Sequence, residues 1–222
     1  MGEVIGQILG TAVGVAISPV PVIAVILMLF SRKAASNSVS FAVGWVLGLS
    51  VVGAIVLALG IADDNSGEPS ATSGWIKVVV GVLFIVLGVR QWRSRPRQGE
   101  EAPTPAWMAS IDDFTAVRAF GIAVLLSAAN PKNLGLTIAA ASTIGAGGLS
   151  TGNEYVALVV FVAIASIAVV TPVVINAVAG ERARPVLDEM KQWLIDHNAT
   201  IMTVVLVVLG AKVLGDGITI LS

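Results

Sequence analysis

The chain has 222 residues, of which 56% are apolar and 12% charged, with a net charge of -1 and a mean hydropathy of +0.91. Soluble domains carry about 25% charged residues, so this composition is that of a membrane protein. Lack of cysteine excludes disulfides and thiolate metal sites, the single histidine, His197, excludes a multi-histidine metal centre, and the absence of a basic excess argues against a nucleic-acid partner.

Crossing the hydrocarbon core takes about 20 mostly apolar residues. Six stretches meet that length: 4–30, 39–62, 75–92, 117–144, 155–179 and 199–221. They predict an all-α integral membrane protein of six transmembrane helices. The first stretch is preceded by Glu3, has no basic run before it and outlasts the apolar core of a signal peptide, so it is expected to be retained. Midway along it stands Ser18-Pro19-Val20-Pro21. Two prolines so close are expected to unwind a helix locally, which lipid tolerates only where the backbone is buried in protein or lines a cavity. A packing kink is the simpler alternative.

The second stretch carries Ser50 and the small-residue pair Gly44 and Gly48, matched in the first by Gly6 and Gly10; such pairs favour close helix packing. The third holds Gly81 and ends on Val86-Leu87-Gly88-Val89-Arg90. Residues 93–116 then form the one long connector, rich in Pro and charge, with a short amphipathic piece expected around Trp107 to Phe114. In the fourth stretch Asn130-Pro131-Lys132-Asn133 places a cation and two amides deep in an apolar run. A lysine at that depth costs about 2.5–3.5 kcal/mol on insertion scales, so it is expected to have a partner or a task. Alternatively it ends a short half-helix facing a vestibule. The fifth stretch adds Thr171-Pro172 and Asn176 as candidates to line the same cavity, although a threonine often bonds back to its own helix. In the sixth, Lys212 and Asp216 are spaced to pair on one helix face or to snorkel.

Arg and Lys concentrate in the first, third and fifth connectors (Arg32, Lys33; Arg90, Arg93, Arg95, Arg97; Arg182, Arg184, Lys191), whereas the second is acidic and the fourth has neither. The positive-inside rule puts the odd connectors in the cytoplasm and both termini outside. With three stretches per half, a repeat of the first half in the second must be inverted. Val208-Leu209-Gly210-Ala211-Lys212 echoes residues 86–90, and the two proline-bearing breaks correspond. The expected organisation is a three-helix repeat over 1–92, a cytoplasmic linker over 93–116, and a second repeat over 117–222. Inverted repeats meeting at broken helices are the architecture of many secondary transporters.

The stretches Ile17-Ser18-Pro19-Val20-Pro21 and Leu126-Ser127-Ala128-Ala129-Asn130-Pro131-Lys132-Asn133-Leu134, in six spans of this total length, resemble the LysE superfamily of exporters. Within it the chain looks most like the GAP family, the peptidoglycolipid or sulfolipid addressing proteins. The resemblance implies a role in moving or addressing a cell-envelope glycolipid across a bacterial inner membrane. Under that reading Ser18, Pro19, Pro21, Asn130, Pro131, Lys132, Asn133, Thr171, Pro172 and Asn176 line the translocation path, and Lys132, Lys212 and Asp216 are the coupling candidates. No residue identifies the cargo. Alternatives are an accessory scaffold of a larger lipid-export machinery, docking through Trp107 and Phe114, and an exporter of a small amino-acid-like solute. No nucleotide-binding loop or catalytic constellation is visible, so neither enzymatic activity nor a cofactor is expected. The expected partners are membrane lipids and the substrate; a homodimer is compatible with six short spans and their glycine faces. Replacing Lys132 with Met is expected to abolish transport and leave folding and insertion intact.

Overall fold

The computed structural model describes residues 1–60, 71–95 and 106–222, and every regular element among them is helical. The first apolar stretch is two helices, α1 (Gly2–Ala16) and α2 (Pro19–Phe30), bent by 53° at Ile17-Ser18. Both prolines fall in the first turn of α2, where a backbone N–H has no intrahelical acceptor. One local break at Ile17-Ser18 therefore accommodates both. Ser31-Arg32-Lys33 connects directly to α3 (Ala34–Ala58), a shorter connector than the sequence implies. Next come α4 (Ala71–Arg93) and a 3-10 helix (Ala106–Asp113).

The fourth stretch is also interrupted. Helix α5 (Ala116–Val124) passes into a π-helical turn (Leu125–Ala129), stops at Asn130, and restarts as α6 (Pro131–Gly145) with proline again in first position. Helix α7 (Thr151–Ala179) runs through Pro172 without ending; Gly180, at φ 54, closes it in a conformation that suits glycine. After a 3-10 turn (Gly180–Ala183), α8 (Arg184–Leu221) is continuous, so most of the expected fifth connector is helix. Two stretches, Ala34–Ala58 and Thr151–Leu221, are long and apolar enough to cross a membrane, and the bent α1–α2 pair makes a third. The 71 residues of Thr151–Leu221 far exceed one crossing and divide at Gly180. Such helices mark a membrane protein.

The predicted amphipathic piece is the 3-10 helix. Met108, Ile111 and Phe114, three residues apart, are buried, as the period of a 3-10 helix requires. Phe114 lies in the core and its carbonyl accepts from Asn37 Nδ2 at 3.0 Å, so it is not a free docking residue; the side chain of Trp107 lies outside the described residues.

Nine of the twelve residues of α2 are buried, a helix apolar all round and hence central. It is wrapped by α3, α7, α8 and the 3-10 helix. The connections segregate to two ends. At one, the rings and backbone of three connectors meet: Arg184 and Lys191 lie 5.9 and 5.4 Å from the Phe30 ring, and Asn37 reaches Phe114. At the other, Val4 of α1 approaches Gly147, and Ile220 and Leu221 approach Gly74.

Helices α4 and α8 form an antiparallel seam. Gly74, Gly81 and Gly88 recur every seventh residue and face Leu221, Leu214 and Val207; Gly210 and Gly217, also seven apart, face Ile85 and Val78. This heptad spacing lets the backbones approach closely. Gly44 and Gly48 likewise let α3 lie against Phe120 and Ser127 of the fourth stretch. A Cβ added at Gly6 or Gly10, by contrast, would meet no atom within 4 Å, so these two glycines play no packing role inside the protein. A Cβ on Gly81 would fall 2.6 Å from the Leu214 nitrogen. Gly81→Ala is expected to cost about 1–3 kcal/mol by overpacking. Gly10→Ala should be neutral or stabilise by up to about 1 kcal/mol. Thermal unfolding of the two purified variants in one detergent checks the contrast.

Candidate functional site

The two breaks meet, and the reason can be followed carbonyl by carbonyl. In an uninterrupted helix Pro19 would donate to Val15 and Pro21 to Ile17, but proline has no N–H. The turn at the end of α1 sends the Ser18 N–H to Ala16 at 2.8 Å, which leaves Gly14 without its usual donor as well. Three carbonyls at the C-terminal end of α1 thus need partners inside an apolar bundle, where each unmade hydrogen bond is costly.

Lys132 and Ser18 supply them. The Lys132 ammonium donates to Gly14 O at 2.8 Å, Ile17 O at 2.9 Å and Ser18 Oγ at 2.7 Å, using all three of its protons. The Ser18 hydroxyl has two acceptors in reach, Val15 O at 2.7 Å and Asn133 Oδ1 at 3.2 Å. Asn133 Nδ2 donates to Leu126 O at 2.9 Å, tying α6 back to the turn before it. The Asn130 side chain accepts from the Lys132 N–H at 3.0 Å and caps α6. Lys132 starts at the positive end of α6, but its long side chain carries the charge to the negative end of α1, where the helix dipole favours a cation.

Ser18, Lys132 and Asn133 are all buried, Lys132 to 4% exposure. Pro19 and Pro21 stand beside them at the start of α2, and Pro131 starts α6. This much of the expected cavity lining is brought together. Other candidates lie elsewhere. Thr171 is exposed along α7 and lines a groove against α3 with Ser50; Pro172 is buried and does not line that groove; Asn176 is half-buried beyond them. Lys212 and Asp216 pair with each other at 2.9 Å on the exposed face of α8, with side chains 60% and 47% exposed. Asp216 is therefore not the carboxylate partner of Lys132, whose partners are neutral oxygens. An exposed i,i+4 pair of this kind adds little stability.

Reasoning from side chains alone misses the acceptors, Gly14 O and Ile17 O. For Ile17 the signal is in the sequence, since Pro21, four residues on, marks that carbonyl as free; Gly14 is freed only by the turn of the Ser18 N–H to Ala16. Ser127, in the π-helical turn, is also missed; it is fully buried, bonds to Val124 O at 3.2 Å and packs where Gly48 leaves room. Among the described residues no three His, Asp or Glu side chains converge as a metal site would require.

Lys132 is thus a clamp joining two broken helices, which changes what its removal does. Lys132→Met strands the Gly14 and Ile17 carbonyls in the interior, so folding is not expected to escape. A loss of about 2–4 kcal/mol is predicted from the cost of unsatisfied buried groups. Asn130→Ala, which removes only a cap, should cost about 1 kcal/mol. Denaturation in detergent ranks the two.

No curated protein and no solved structure matches the chain. Residues 8–219 match the family described as Sap, sulfolipid-1-addressing protein, which covers both breaks and nearly the whole sequence. The chain belongs to the sulfolipid-1-addressing protein (Sap) family.

Proposed function

We propose that this protein is an exporter of the LysE type that moves or addresses an envelope glycolipid across a bacterial inner membrane. The observation that carries the reading is the junction of two broken helices at Lys132, in a chain whose family is described by its sulfolipid. Family membership supports lipid addressing; the exporter mechanism is inferred from the breaks. A pair of interrupted helices meeting at mid-bundle is where transporters of inverted-repeat type bind and gate their cargo.

In this reading α1–α2, α3 and α4 form one repeat, and α5–α6, α7 and α8 the other. Supporting it, each half opens with a helix that restarts at a capping residue followed by proline, Ser18-Pro19 and Asn130-Pro131. Helix α3 packs on α5 as α7 packs on α1, and the third helices of the halves, α4 and α8, pair antiparallel. Six crossings follow, with the basic connectors inside and both termini outside. The grouping of the first, third and fifth connectors at one end of the bundle supports that alternation. Alternating access then requires the Lys132 clamp to let go of α1. An anionic or strongly hydrogen-bonding headgroup, offering the ammonium a better acceptor than a peptide carbonyl, is a ligand able to release it. Cargo is passed between leaflets without chemical change, so no enzymatic step or cofactor is invoked.

One observation favours the alternative of an accessory subunit within a lipid-export machinery: every proton of Lys132 is already engaged. Transport by the isolated protein separates the readings. Purified protein in proteoliposomes should move a fluorescent envelope glycolipid between leaflets; strict dependence on a second protein would leave the accessory role standing. Topology is tested independently because the chain has no cysteine. In intact cells a membrane-impermeant maleimide should label Thr151→Cys, whereas Arg182→Cys should react only after permeabilisation. The reverse pattern contradicts the orientation.

A further inference from the structure

Outside the Lys132 cluster, the most distinctive concavity is the groove between α3 and α7. Its volume is about 710 Å³. The helices run antiparallel: Gly53 packs against Leu158, and a small cleft brings Val56 and Gly60 beside Thr151 and Glu154. The groove extends along α7 from Tyr155 to Ile175, with Val46, Ser50 and Ala54 of α3 as its other wall. Twenty residues of helix span about 30 Å, the thickness of the hydrocarbon core. A helix of that length and about 10 Å in diameter fills about 2,400 Å³, far more than the groove offers, whereas a single extended hydrocarbon chain fits.

The lining is apolar except for hydroxyls, and one of these is unusual. Ser166 is 3% exposed, lines the groove, and its Oγ has no hydrogen-bond partner in the protein. Buried serines in helices ordinarily bond back one turn, as Ser50 does to Val46 O at 2.8 Å. An unpaired hydroxyl on the wall of a long apolar groove calls for an uncharged acceptor on an otherwise hydrocarbon ligand.

The geometry points to a lipid-binding groove between α3 and α7 that holds one acyl chain of the cargo, with the chain's ester carbonyl accepting from Ser166. This deepens the lipid-export reading and rests on it. The groove reads the tail, and the Lys132 junction answers to the headgroup. No charged side chain lines the groove, so the tail, not the headgroup, is what it selects.

The test uses full-length protein in nanodiscs with a diacyl phosphatidylglycerol carrying a diazirine in one chain, in ester-linked and ether-linked forms. After irradiation, adducts of the ester-linked probe should concentrate on residues 46–54 and 155–175, about tenfold over the equally exposed face of α4 at Val79 and Val86. Ala163→Phe, which fills an exposed position of the lining, should remove that excess and leave the α4 background unchanged. Ser166→Ala should weaken retention of the ester-linked probe about three- to tenfold and leave the ether-linked probe unaffected. Uniform labelling of the wild type, or labelling undiminished in Ala163→Phe, overturns the groove; equal loss of both probes overturns the carbonyl contact. Transport measured on the same samples keeps the two readings apart. Labelling as described with no lipid movement by the wild type supports the groove while sinking the exporter. An Ala163→Phe variant that moves lipid at the wild-type rate with its groove empty of label sinks the inference alone.

Discussion

Pro19 and Pro21 leave the carbonyls of Val15 and Ile17 without helical donors in the middle of an apolar bundle, and the turn they impose frees Gly14 as well. A membrane interior has no water to satisfy them. Lys132, from a segment more than a hundred residues away, reaches two of these oxygens and the Ser18 hydroxyl, and Ser18 takes the third. The buried cation and the freed carbonyls solve each other's problem. The lysine needs acceptors to remain inside, and the carbonyls need donors to remain unwound. Neither break is stable without the other, so the two halves of the chain are locked together at this point.

The rest of the fold follows from placing those breaks face to face. Helix α2, starting at the first break, is short and buried on nearly all sides, because it fills the space that the bend opens. Helices α3 and α7 flank the breaks, close together at Gly53 and Leu158, and share the groove that runs along α7 to Ile175. Helices α4 and α8, zipped by glycines at heptad spacing, form a separate antiparallel pair. A bundle built this way has a polar junction, which under the proposed export cycle opens for cargo to pass, and an apolar groove between α3 and α7. That division suits an amphiphile with a polar head and a long tail.

Much of this was legible in the sequence. The break positions follow from Ser18-Pro19 and Asn130-Pro131, since a capping residue followed by proline favours a helix start, although α7 runs through the same kind of pair at Thr171-Pro172. The buried lysine was conspicuous for its cost. Its partners were not, because they are backbone oxygens and a search for a carboxylate looks past them; Asp216 proved to be engaged with Lys212 on an exposed surface. Thr171 was placed with the breaks because polar residues in a span suggest one cavity, yet its side of α7 faces the α3 groove. Hydropathy does not give a helix's rotation about its own axis. The glycines divide in the same way. Those at seven-residue spacing in α4 and α8 pack, whereas Gly6 and Gly10 do not, and only the partner helix distinguishes them.

The central claim is that Lys132 and Ser18 act as one unit joining the two breaks. A double-mutant cycle of Lys132→Met and Ser18→Ala, read as unfolding free energy in a fixed detergent, tests it most directly. Removing either partner disables the same junction, so the double variant should be less destabilised than the sum of the single variants by about 1 kcal/mol or more. Effects that add to within about 0.5 kcal/mol would mean the two residues act independently and would contradict the account.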